Sequence, residues 1–191
     1  MGICTSKQKQ VTVFLVMITA LVVMAGAARA QVSFEGGDGS AANPYQIATV
    51  EQLQAIKDDL DAHYVLIQDV DASATVDWNG GLGFEPIGSY YDSTQRFTGV
   101  LDGQGHKINS LTITRPIQDY VGLFSWIGTD DEVGGTVKNV TIEDAVIEGR
   151  DYVGGLVGGI SHGTFSACNT IMSSVTATGT EYVGGLVAYS S

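Results

Sequence analysis

The chain has 191 residues, enough for one ordinary domain or for one domain plus a targeting segment. Its 21 acidic against 9 basic residues give a formal charge of −12, a surface that repels nucleic acid and anionic lipid and suits solubility outside a cell or weak cation binding. The 25 glycines beside 3 prolines, with 44% hydrophobic residues, exclude disorder and predict many short strands joined by tight turns.

Residues 1–30 have the layout of a signal peptide. Lys7 and Lys9 form a short basic start, and Val11–Met24 is apolar apart from Thr12, Thr19 and small residues. Ala28-Arg29-Ala30 then fits an A-x-A cleavage site, so the mature chain is expected to begin at Gln31. The competing reading is a membrane-spanning helix. The uncharged run is only marginal for the roughly 20 residues a bilayer requires, and a cleavage site follows at once. A secreted or cell-surface location is expected, with no membrane insertion after cleavage. Cleavage removes three basic residues and no acidic one, which takes the formal charge to −15. It also removes Cys4. Cys168 is then the only cysteine, so no internal disulfide can form, and it is expected as a small buried side chain.

Residues 31–96 are expected to form an N-terminal capping region. Residues 31–43, with Gly36-Gly37-Asp38-Gly39-Ser40, suggest a flexible lead-in, and Pro44–Ile47 a short extended piece. Thr49 and Gln52 stand at capping-box spacing. Val50, Leu53, Ile56 and Leu60 follow at helical spacing, which predicts a helix over about 50–60. Asp58, Asp59 and Asp61 should end it, because carboxylates are unfavourable at a helix C-terminus. Tyr64–Gln68 is expected as a strand.

From residue 97 the texture becomes short β-type runs with glycine or Asx turns between them. Phe97–Leu101 and Ile108–Ile113 flank Asp102-Gly103-Gln104-Gly105. Asp119-Tyr120-Val121-Gly122-Leu123-Phe124-Ser125 then returns as Asp151-Tyr152-Val153-Gly154-Gly155-Leu156-Val157-Gly158, and again as Glu181-Tyr182-Val183-Gly184-Gly185-Leu186-Val187-Ala188. The tyrosines are 32 and 30 residues apart, and the first copy lacks one glycine, which suggests a different bend there. Thr136–Ile142 and Thr170–Thr176 lie between the copies. A unit of about thirty residues built from several short strands winds as one coil and stacks on its neighbour, with backbone bonds between coils about 4.8 Å apart. A propeller blade would need about 40–45 residues. The expected fold is all-β: a parallel β-helix, or solenoid, with one short N-terminal helix and coils over 97–191.

The repeat resembles the GLUG motif (Gly-Leu-hydrophobic-Gly) of large secreted bacterial and archaeal surface proteins, including streptococcal immunoglobulin-A metallopeptidases. Gly155-Leu156-Val157-Gly158 matches it fully. Gly122-Leu123-Phe124 and Gly185-Leu186-Val187 match with Ser125 and Ala188 in the last place. The resemblance extends over roughly 35–191 and implies a right-handed, pectate-lyase-like β-helix. It implies no activity, since the motif is a structural repeat. The chain stops at Ser191, just inside the third repeat, with no capping helix or polar unit after Tyr189. This suggests a truncated product or fragment that could self-associate through its uncapped C-terminal coil.

No catalytic set emerges. His63, His106 and His162 are far apart in sequence and none lies in H-E-x-x-H. Asp102-Gly103-Gln104-Gly105-His106 resembles an early coil of polygalacturonases, a likeness that implies a mainly structural role for Asp102, and Asp130-Asp131 has no nearby histidine. The expected role is therefore a non-catalytic structural or adhesive module, needing no cofactor, with an unidentified surface ligand or glycan as partner. The alternative is an incomplete carbohydrate-active β-helix enzyme. Asp69-x-Asp71 and Asp58-Asp59-x-Asp61 could offer oxygens to calcium, but turn and helix-end roles explain them equally well. Tyr90, Tyr91 and Trp126 could stack on sugars if exposed, although aromatics more often belong to cores.

Overall fold

The computed structural model describes residues 32–131, 134–171, 173–180 and 182–190, so the expected signal peptide and its cleavage site lie outside the described residues. Short runs of Val, Ile, Leu and Thr form strands of two to four residues each, and corners interrupt them before they can lengthen. At many corners a non-glycine residue takes positive φ, including Ser110, Asn139 and Asp144. Asn and Asp tolerate this conformation because a short polar side chain can bond locally. Asn139 bonds between coils instead, donating from Nδ2 to Asp102 Oδ1 on the neighbouring coil at 2.9 Å.

The strands stack in five sheets. The first holds β1 (Tyr45–Ile47), β2 (His63–Leu66), β4 (Val100–Asp102), β8 (Thr136–Lys138) and β13 (Thr164–Ser166), in that order. The second holds β3 (Val70–Asp71), β5 (Lys107–Asn109), β9 (Thr141–Glu143) and β14 (Asn169–Ile171). The third holds β6 (Thr112–Thr114), β10 (Val146–Gly149) and β15 (Ser174–Ala177). β11 (Val153–Gly154) pairs with β16 (Val183–Gly184), and β12 (Val157–Ile160) lies between β7 (Phe124–Ile127) and β17 (Val187–Ser190). Every pairing between these strands is parallel. The run β8 to β12 visits the five sheets in the order that β13 to β17 repeats. This is the parallel β-helix expected from the repeat.

Inward side chains fall into ladders. Tyr64, Leu101, Val137 and Phe165 share one register, and Val70, Ile108, Ile142 and Thr170 another. Ile113, Ile147 and Val175 form a third, and Phe124, Val157 and Val187 a fourth. In the inner coils these side chains are at most 1% exposed, and burying each Val, Leu, Ile or Phe contributes about 1.5–3 kcal/mol.

Several expectations are corrected in detail. The helix α1 covers only Val50–Gln54. Its capping box is present, with Thr49 Oγ1 accepting from Gln52 N–H and Gln52 Oε1 accepting from Thr49 N–H. Ala55–Asp58 then tightens into a 3₁₀ turn, so the helix expected to reach Leu60 is cut short. Residues 31–43 are not a free lead-in among those described: Gln46 N–H donates to Gly36 O, Glu35 N–H donates to Gln46 O, and Asp38 caps Ser40 and Asn43. The capping region does not precede the coils, because β1 and β2 already belong to the sheet of β4 and β8. Ile108–Ile113 is two strands with a corner at Ser110, and Thr136–Ile142 breaks likewise at Asn139. Cys168, between β13 and β14, is half-buried against the core with Sγ directed at Val137 O of the preceding coil, and burial pushes its thiol pKa up.

Candidate functional site

The repeat residues point into the tube or into the seam between coils. Leu123 and Leu156 are fully buried, and Leu186 is half-buried beside them. A Cβ on Gly155 would lie 2.3 Å from Gly185 O, and one on Gly122 would lie 2.8 Å from Gly154 O. A Cβ on Gly158 would lie 2.4 Å from the carbonyl carbon of Tyr120 on the coil before it. These glycines exist so that one coil's backbone can approach the next. Gly185 is the exception, with nothing nearer than 3.8 Å. The first copy, which lacks one glycine, is paired differently from the other two. Val121 makes only an isolated bridge to Val153, while Val153-Gly154 pairs as a strand with Val183-Gly184. Ser125 stands in the last motif place of the first copy, buried, with its N–H donating to Ile87 O.

At the corner before each motif stands a tyrosine with positive φ: Tyr120, Tyr152 and Tyr182. An aromatic residue rarely takes this conformation, and here stacking offsets its cost. Tyr120 stacks on Tyr152 at 4.5 Å and 8°, and Tyr152 on Tyr182 at 5.2 Å and 20°. Tyr90 extends the ladder at the other end, 4.1 Å from Tyr120. The stacked rings cover one another's faces, so the inner ladder has only edges to offer a ligand. Trp126, offered above as a sugar platform, is 3% exposed. It lies over Gly159, where a Cβ would come within 2.3 Å of its ring, and the Arg96 guanidinium sits 5.5 Å from its centroid. Its indole N–H has no hydrogen-bond partner among the described residues.

Tyr91 is different. Its ring stands at 78° to Tyr90 and to Tyr120, and the residue is 70% exposed. Its hydroxyl donates to Asp119 Oδ2 at 2.8 Å, and Arg150 grips the same carboxylate through Nε at 2.6 Å and through Nη2. The Arg150 bonds hold Asp119 below the usual carboxylate range. Burial and the Asp119 bond raise Tyr91, which therefore stays a neutral donor. The result is an exposed aromatic face fixed by two residues of the repeat corner. Sequence reasoning named Tyr91 but missed Asp119 and Arg150. The only sequence signal was Asp119-Tyr120 recurring at repeat distance as Asp151-Tyr152 after Arg150.

The remaining carboxylates serve turns and coil pairing. Burial alone would raise the Asp102 carboxyl, but donors from Asn139, Gln104 and Lys138 outweigh it and hold the carboxyl low. Asp69 accepts from Lys107 N–H and lies 3.3 Å from His106 Nδ1, while Asp71 caps Ser73. His162 Nδ1 sits 3.0 Å from Ser161 Oγ and 3.1 Å from Thr129 O, and among the described residues no carboxylate completes a relay with it. Asp130 pairs with Arg96 at 2.9 Å. A polar groove of about 600 Å³ runs between Lys57–Asp61 and Ser93–Thr98, with Asp131 on its wall. In it, burial together with the neighbouring Asp61 pushes the Asp59 carboxyl above its usual range. Among the described residues no three His, Cys, Asp or Glu side chains are grouped to hold a metal ion.

No family model matches the chain. Halomucin from Haloquadratum walsbyi is 42% identical over 156 residues, which is 79% of this chain and 2% of halomucin. A protein of Evansella cellulosilytica, provisionally described as a Gly-rich membrane protein, is 36% identical over 134 residues, or 68% of this chain and 15% of that protein. The chain thus spans only a small part of either relative. Among solved structures, a Bacteroides ovatus protein provisionally described as an immunoglobulin A1 protease aligns with a TM-score of 0.49 at 17% identity, covering 83% of this chain and 65% of its own. No helix among the described residues is long and apolar enough to cross a membrane.

Proposed function

We propose that this chain is a non-catalytic structural or adhesive β-helix module of a secreted or cell-surface protein, of the GLUG-repeat kind. One observation carries the reading: the repeated residues are spent on coil-to-coil contact, with Leu123 and Leu156 inside and Gly122, Gly155 and Gly158 in the seams. What repeats is a scaffold, and a module of this kind gains length by adding coils. The names of both relatives, a mucin-like name and a membrane protein, support a surface location. Tyr91 is the ligand-contact residue of this reading. A fixed, exposed aromatic face suits the apolar face of a sugar ring, because little side-chain entropy remains to be lost on binding.

The test is a glycan-binding screen of the mature protein beside its Tyr91→Ala variant. The reading expects retention of at least one neutral or acidic glycan, lost in the variant, and no release of reducing ends or unsaturated sugars from pectin, alginate or xylan. A second reading, an incomplete carbohydrate-active enzyme, draws support from the groove, where Asp59, Asp61 and Asp131 share one walled space and burial with the neighbouring Asp61 raises the Asp59 carboxyl. Turnover abolished by Asp59→Asn, or by Asp131→Asn, would favour it.

A further inference from the structure

We infer that the groove between Lys57–Asp61 and Ser93–Thr98 is a binding site for a neutral polyhydroxy ligand, such as a short saccharide, held between the buried Arg96 guanidinium and the carboxylates of the groove. The site is independent of the Tyr91 face and of any turnover.

Backbone contacts set the groove before a ligand arrives. The N–H groups of Thr98 and Gly99 both donate to Leu60 O, which ties the two walls together at one end. On one wall Asp59 O accepts from the Tyr64 hydroxyl, which fixes the turn carrying Asp58, Asp59 and Asp61. On the other, Ser89 N–H donates to Gln95 O, and Asp92 caps Thr94 through its N–H and its hydroxyl. The resulting space of about 600 Å³ falls within the range of small-molecule sites, which are largely pre-formed.

Two sets of groups in it lack what they need. Arg96 lines the groove, is only 9% exposed and lies over the Trp126 ring. Its Nε and Nη1 are buried, and neither has an aligned acceptor among the described residues. Asp130 Oδ1 comes within 2.9 Å of Nη1, but the Asp130 side chain is 75% exposed, and so exposed a partner is displaced at little cost. Buried donors are nearly always paired, so these call for an acceptor from outside the chain. Asp58, Asp59, Asp61 and Asp131 also line the space, and they call for donors. Burial first, and then Asp61 through a hydrogen bond and its charge, hold the Asp59 carboxyl above its usual range. Lys57 does not relieve them, because its ammonium pairs with Glu85.

Charged ligands meet only one of these needs. An anion would pair with Arg96 but face four carboxylates. A metal ion would suit the carboxylates, but among the described residues no three are grouped to hold one, and Arg96 would keep its orphaned donors. A hydroxyl does both, since its oxygen accepts from the guanidinium while its proton goes to a carboxylate. Water offers the same bonds one molecule at a time. A polyol joins several hydroxyls on one frame and frees the waters it replaces.

An NMR titration of the chain tests this, with maltose and lactose as neutral probes and glucuronate, glucosamine and calcium as charged ones. Affinity for so short a sugar is too weak for retention on a glycan surface, so amide shifts are the readout. The backbone N–H signals of Asp59, Thr94 and Thr129 and the Arg96 Nε–H signal should move with at least one neutral sugar, at lower concentration than with any charged probe. Arg96→Met keeps a stem over Trp126 but removes the donors, and it should weaken binding at least about tenfold. Asp131→Ala, an exposed change that leaves the core untouched, should also weaken it and serves if the Arg96 variant does not fold. Tyr91→Ala should leave these shifts unchanged whether or not the Tyr91 face binds glycan, so the two readings fail separately. Groove signals that stay still at the highest soluble sugar concentration, tighter binding of a charged probe, or an Asp131→Ala chain that binds as well as the parent would each overturn the inference.

Discussion

Gly158→Ala puts the coil-seam argument to its sharpest test. The added Cβ would sit 2.4 Å from Tyr120 C, 2.6 Å from its Cα and 2.7 Å from Val121 N, all backbone atoms of the preceding coil. Contacts under 3.0 Å cannot be accepted, and backbone held in a sheet has no rotamer by which to retreat. The clash must lift β12 from the Tyr120–Val121 corner, which loosens the Tyr120–Tyr152 stack and the pairing of Val157 with Phe124. Overpacking of this kind costs about 1–3 kcal/mol, which for a domain of this size corresponds to a fall in Tm of roughly 2–12 °C. Gly185→Ala is the matched control. It changes a glycine of the same motif where the nearest neighbour is 3.8 Å away, and it should be neutral or stabilising by up to about 1 kcal/mol. Thermal unfolding followed by circular dichroism compares the two. Equal Tm values for the two variants would refute the reasoning.

A Cβ on Gly159 would meet the Trp126 ring at 2.3 Å, so Gly159→Ala should tilt the indole and shift its fluorescence emission, with a smaller loss of Tm because a side chain yields more readily than backbone. Asp102 and Asp119 both have lowered carboxyl pKa values, so the stability they supply is present above the unfolded-chain pKa of about 3.9 and is lost as pH falls through their lower folded values. Denaturation midpoints should therefore fall on acidification below about pH 4, and Asp119→Asn should flatten that limb. Mass spectrometry of secreted protein should find Gln31 at the N-terminus; material beginning at Met1 would remove the export reading. Added calcium should leave the Tm unchanged, because Asp69 and Asp71 are already occupied as turn and coil-pairing acceptors.

The coil stack was legible in the sequence because its period is carried by residues with no other reason to recur. Tyr152-Val153-Gly154-Gly155-Leu156 and Tyr182-Val183-Gly184-Gly185-Leu186 are alike because each must meet the same seam. The corners were less legible. Nothing in the one-dimensional pattern says that Tyr120 takes positive φ, since stacking on residues about thirty positions away overrides the local preference. Trp126 was readable as the commoner core aromatic, but not its partner: it lies over Gly159, which is its neighbour only once the register is known. The helix was overextended because the apolar spacing to Leu60 was real, but the backbone tightens after Gln54 and the Tyr64 hydroxyl donates to Asp59 O where the chain turns into β2. This asymmetry explains why fold was easier to read than function. The repeat records what every coil must satisfy, while a ligand is met by what one corner has and the others lack. Tyr91 lies outside the repeated motifs, and only the folded register reveals that Asp119 of the first copy and Arg150, just before the second, pin it.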